Sequence, residues 1–147
     1  MGLICPLKNK TEFRDILFEN TRDYDGKLKE VIKFAPQIYD LLCKLLEDGK
    51  FLSPESRQKI CAAVAYFILP MDIIPEEITG AYGYIDDMYI CLYVLKDLEV
   101  EYEFEALADH WNRNIEELKI LLVEDYATLE KELGDKRYRI LEYAGLK

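Results

Sequence analysis

Apolar residues recur every three or four positions through most of this 147-residue chain, and this spacing constrains the fold more than any other feature. Half of the residues are hydrophobic, which is enough to build a core and argues against disorder. One segment disagrees, because Glu99–Glu105 alternates acidic and apolar residues as a strand does. A lone strand is unstable, so we interpret this segment as a linker that enters a helix. The sequence therefore predicts an all-α, compact single-domain bundle of about six or seven helices over residues 1–147.

Several predicted helix ends carry local signals. Pro36 lies inside the apolar pattern of residues 31–45, where the missing backbone donor of proline favours a kink or two abutting segments. Ser53 followed by Pro54 is typical of an N-cap and a first helical residue. Asn114, with a glutamate three residues later, resembles a capping box, and Gly134 is a helix stop.

The stretch from residue 67 to 87, FILPMDIIPEEITGAYGYIDD, interrupts a smooth apolar helix pattern with prolines, glycines and acids. Pro70 predicts the end of one helix, and the apolar run from Met88 onward predicts a buried helix after it. We expect two helices joined by about fifteen residues to pack side by side as an antiparallel hairpin. We therefore predict a central Pro/Asp-rich helical hairpin at about 58–98, followed by an acidic helical part at about 99–147.

Such a hairpin gathers carboxylates where its helices meet, and the predicted set is Asp72, Glu76, Asp86 and Asp87. One interpretation is structural, with Asp86 or Asp87 capping the helix that begins at Met88. A second interpretation is a site for Mg²⁺, Mn²⁺ or Ca²⁺, because gathered carboxylates repel one another unless a cation neutralises them. A third is an ion-pair cluster with Arg57, Lys59 or Lys96. We favour capping and leave the other two open.

The run from Ala65 to Glu76, followed by Gly-Tyr-Ile-Asp-Asp at 83–87, resembles the signature of the YkvA-like family. That family consists of small helical domains of unknown function, and the resemblance covers roughly residues 58–98. It implies the following family-defining positions: Pro70, Asp72, Pro75, Gly83, Asp86 and Asp87. It implies no activity. Glu76 stands where the family more often has aspartate.

Composition excludes several function classes. The formal net charge of −10 opposes direct binding to nucleic-acid phosphates, which requires clustered Lys and Arg. The four cysteines are widely spaced and His110 is the only histidine, so neither a zinc site nor a Cys-His or Ser-His-Asp catalytic set is predicted. Three of the cysteines lie in apolar helical patterns and are expected to be reduced core residues of a cytoplasmic protein. His110 beside Trp111 is interpreted as packing at a helix end.

We predict a non-enzymatic helical interaction module that binds another protein. The candidate interaction face comprises Tyr82, Tyr84, Glu116, Glu117, Glu124 and Glu130. One alternative is a metal-dependent hydrolase or phosphotransfer enzyme that uses the four hairpin carboxylates. Another is an acidic inhibitor such as an antitoxin, an immunity protein or a nucleic-acid mimic. No transmembrane segment is predicted, weak peripheral membrane association through the apolar hairpin remains open, and the oligomeric state is not predicted.

Overall fold

In a computed structural model, residues 15, 17–19, 21–22, 28–48, 50–68 and 83–146 are described. The helices are α1 (Lys29–Ile32), α2 (Ala35–Asp48), α3 (Pro54–Ile68), α4 (Gly83–Tyr102), α5 (Phe104–Ala108), α6 (Ile115–Ile120), α7 (Tyr126–Leu133) and α8 (Lys136–Tyr143). A π-helical segment, Leu121–Asp125, joins α6 to α7 without a break. Residues 15, 17–19 and 21–22 are also helical, and no strand occurs among the described residues. The all-α, single-domain fold is therefore confirmed.

Helix α4 forms the centre of the bundle. It packs against α1, α2, α3, α5, α7, α8 and the π-helical segment. Its side chains are buried on nearly every side, which is the pattern of a helix surrounded by other helices. Ile85, Met88, Ile90 and Leu92 are fully inaccessible to solvent. The core therefore lies along α4.

Helices α3 and α4 run antiparallel, as their polar contacts show. Lys59 pairs with Asp97, whereas Ser56, one turn earlier, donates from Oγ to Glu101 Oε2 at 2.8 Å. Residues 69–82, which join the two helices, lie outside the described residues. The structure of the Pro/Asp-rich connection therefore stays a prediction.

The locally encoded helix ends form largely as predicted. Pro36 is the second residue of α2, where its missing N–H would have no helical partner. Helix α1 ends at Ile32 and is a separate segment. Ser53 caps α3, since its Oγ accepts from the Ser56 N–H at 3.1 Å. Gly134 ends α7 with φ of 55°. Asn114 caps α6 by accepting from the Glu116 N–H at 2.8 Å.

The reciprocal half of the predicted capping box is absent. Glu117 does not return a bond to the Asn114 backbone, because both of its carboxylate oxygens accept from Arg113, at 2.9 and 3.1 Å. The Asn114 cap is therefore single, and the acid three residues on forms an ion pair with the residue before the cap.

Two boundaries differ from the sequence prediction. Helix α4 begins at Gly83 rather than Met88, so Asp86 and Asp87 lie inside the helix and the prediction that either caps it is wrong. The alternating segment is not a linker throughout, because Glu99–Tyr102 forms the last turn of α4. Tyr102 anchors this turn, since its hydroxyl accepts from the Ser53 N–H at 2.8 Å. The chain then turns at Glu103, whose φ is 74°, and α5 follows.

Three cysteines lie in the core and His110 lies at a helix end, at the positions that the sequence predicted. The side chains of Cys43, Cys61 and Cys91 are buried in the core. Trp111 is buried and donates from Nε1 to the Asn114 carbonyl at 3.0 Å, and His110 Nδ1 lies 3.0 Å from the Ala106 carbonyl.

Among the described helices, none combines the length and the apolar character needed to cross a bilayer.

Candidate functional site

Two of the four predicted site carboxylates fall within the described residues. Asp86 and Asp87 lie in the first turns of α4, whereas Asp72 and Glu76 lie outside the described residues, as do Pro70, Pro75 and Tyr82. The convergence of the four carboxylates is therefore untested. Gly83, another predicted motif position, is the first residue of α4.

Asp86 is a buried acid, with only 3% of its surface exposed. Burial withdraws water from the carboxylate and raises the pKa of Asp86 to about 7, while the positive charge of Lys136 on α8 acts in the opposite direction. Its position near the start of α4 also places it in the positive end of the helix dipole. Burial outweighs both attractions, so Asp86 changes charge near neutral pH.

Asp87 is a second desolvated acid next to the first. Burial raises the pKa of Asp87 well above its usual range, and the neighbouring charge of Asp86 adds to the effect. On the inner side, burial also raises the pKa of the Cys91 thiol, with further contributions from Asp87 and Cys43. Asp87 therefore acts electrostatically on the Cys91 thiol, whereas Asp86 interacts electrostatically with Lys136 of α8.

Three neighbours of this acidic pair were missed by the sequence reasoning. Tyr66, near the end of α3, has its pKa raised first by burial and then by the charges of Asp86 and Asp87. The electrostatic interaction with Tyr143 on α8 also raises the pKa of Tyr66, whereas the positive charge of Lys136 lowers the pKa of Asp86. Tyr66 lies within the run that resembles the YkvA-like signature, so that motif was a usable signal. Lys136 and Tyr143 on α8 are distant from this motif in sequence, and no sequence pattern linked them to it.

The three basic residues that the ion-pair interpretation named have other partners among the described residues, and their pairing with Asp72 or Glu76 stays untested. Lys59 pairs with Asp97, and Lys96 Nζ donates to the Leu122 carbonyl at 3.0 Å. Arg57 Nη2 donates to the Leu46 carbonyl, also at 3.0 Å, at the C-terminal end of α2. Within the described part of the chain, no group of three or more His, Cys, Asp or Glu side chains is arranged to hold a metal ion.

The predicted interaction face is only partly assembled. Glu116 and Glu124 are exposed on the outer side of α6 and the π-helical segment. Glu117 is engaged by Arg113 and Glu130 is partly buried, whereas Tyr84 packs against the core. The face therefore reduces to the outer surface of one continuous helix from α6 to α7.

That surface also carries apolar residues that the sequence reasoning did not select. Ile120 is 45% exposed and Val123 is 63% exposed. We use "outer face" for the exposed set Glu116, Lys119, Ile120, Val123, Glu124 and Ala127. The sequence pattern did not indicate this surface, because the stripe of leucine residues on the opposite side dominated the apolar periodicity.

Comparison with known proteins finds one family match and one relative along most of the chain, both of unknown function. The family described as "Protein of unknown function (DUF1232)" matches residues 58–93, which include most of α3 and the first half of α4. Uncharacterized protein ORF9 of Methanothermobacter thermautotrophicus is 32% identical over 128 residues, covering 87% of this chain and 86% of that protein. The chain therefore belongs to the same family as ORF9.

A shorter similarity links the chain to a eukaryotic protein. The E3 ubiquitin-protein ligase RNF170 of Danio rerio is 33% identical over 43 residues, which are 29% of this chain and 16% of that protein. No solved structure matches the chain.

Proposed function

We propose that the chain is a helical interaction module that binds another protein through the outer face. The observation that carries this proposal is the pair of exposed apolar side chains, Ile120 and Val123, one turn apart on a continuous helix. An exposed apolar strip rimmed by charges is the composition of a protein-binding surface. The acids Glu116 and Glu124 flank the strip and complement a partner that presents an apolar contact with basic residues around it.

The family match concerns a different part of the chain from the outer face. The resemblance to the YkvA-like signature covers residues 58–98, and the matched family of unknown function covers 58–93. We propose that both describe the same α3–α4 unit, so that this unit is the scaffold. The outer face lies beyond it, in the acidic C-terminal part, where a specific partner is recognised. Of the six residues predicted from the sequence, Glu116 and Glu124 belong to the proposed surface.

The test is capture of a partner from native lysate by the full chain, with two matched variants. Val123→Glu places a charge in the centre of the outer face, whereas Val100→Glu places one at another exposed valine, 86% accessible and outside the face. A partner retained by the wild type and V100E, and lost by V123E, supports the proposal. Equal retention by all three chains contradicts it. A strongly basic nuclease or toxin among the retained proteins would favour the acidic-inhibitor form of the proposal.

A divalent-cation site is the second candidate function, favoured by the adjacent desolvated carboxylates of Asp86 and Asp87. A cation would neutralise both, and Asp72 and Glu76 are proposed as its further oxygen ligands. Such a site is the starting point for metal-dependent hydrolysis or phosphotransfer, in which the cation activates a water molecule.

Isothermal titration with Mg²⁺, Mn²⁺ and Ca²⁺ tests this candidate directly. We expect binding below millimolar concentration in the wild type, with loss in Asp86→Asn and retention in Asp135→Asn, an exposed acid at the start of α8. Absence of binding in the wild type, or equal binding by D86N, removes the cation site.

A further inference from the structure

We draw no further inference here: the strongest candidate, the pair of desolvated carboxylates Asp86 and Asp87 in the first turns of α4, belongs to the divalent-cation site already proposed, and no third His, Cys, Asp or Glu side chain of the described residues is arranged to complete a metal-binding group with them.

Discussion

Lys96 Nζ donates a hydrogen bond to the carbonyl oxygen of Leu122, 3.0 Å away and on a different helix. The Tyr126 N–H bonds to the carbonyl of Leu121, five residues back, so Leu122 lacks its usual helical donor. The Lys96 ammonium replaces that donor and also lies 5.0 Å from the centre of the Tyr126 ring. One side chain of α4 thus stabilises the π-helical segment that leads into α7.

Replacing Lys96 with methionine should lower the free energy of unfolding by about 1–3 kcal/mol, because the partly buried Leu122 carbonyl loses a charged donor. Urea denaturation followed by circular dichroism measures the change. Lys131→Met, at an exposed position on α7, is the matched control and should change stability by less than about 0.5 kcal/mol. Equal effects of the two substitutions would contradict the role of Lys96.

Replacing Tyr102 with phenylalanine should lower the free energy of unfolding by about 1–2 kcal/mol. The ring still packs edge-on against Phe51, at 5.3 Å, but the Ser53 N–H loses its acceptor and the buried Ser56 hydroxyl loses a neighbour 3.1 Å away. Chemical denaturation measures the loss. Tyr138→Phe on the exposed side of α8 is the control, and a Y102F variant as stable as Y138F would show that the hydroxyl is dispensable.

The stability of the protein should fall as pH rises from about 4 to about 7. The unfolded chain releases the Asp86 proton near its ordinary pKa of 3.8, whereas the folded chain holds it to about 7. Between these values the folded state binds more protons, so the free energy of unfolding decreases with pH, by roughly 4 kcal/mol at most. Asp87 acts in the same direction.

The D86N variant isolates this contribution. Denaturation curves measured in EDTA from pH 4 to pH 8 should show a shallower fall for Asp86→Asn than for the wild type. Asp135→Asn should retain the wild-type slope. Parallel curves for D86N and the wild type would mean that Asp86 is ionised in the folded protein throughout this range.

Replacing Gly134 with alanine should destabilise the protein by about 1–3 kcal/mol through the backbone alone. Its φ of 55° and ψ of −135° lie in a region that L-residues with a Cβ rarely adopt, while no heavy atom lies within 4 Å of an added Cβ. Thermal unfolding measures the cost, and Asp135→Ala is the neighbouring control. A neutral G134A substitution would indicate that the turn after α7 readjusts freely.

Local signals in the sequence predicted the parts of the fold that depend on a few neighbouring residues. Pro36, Ser53 and Gly134 each act through their own backbone geometry or through an amide two or three residues away, so their positions could be assigned in advance. The start of α4 was placed five residues too late, because Asp86 and Asp87 were assigned as caps when they lie inside the helix.

Contacts between segments that are distant in sequence could not be predicted from such local signals. The alternation at Glu99–Glu105 suggested extended backbone, yet the bond between Tyr102 and Ser53, 49 residues apart, holds the last turn of α4 helical. The sequence suggested Lys96 as an ion-pair partner of the hairpin acids. The packing of α4 against the π-helical segment shows that Lys96 instead donates a hydrogen bond to the Leu122 carbonyl. Each of these contacts depends on which helices become neighbours.

The sequence alone determined that the chain is helical, that its acids are concentrated in the C-terminal part, and that residues 58–93 match a family model. It did so because helical periodicity and caps are properties of neighbouring residues. Tertiary structure alone decided that Asp86 is buried, and that Ile120 and Val123 are exposed. Burial depends on which faces of the helices meet, and that choice is made by the whole core at once.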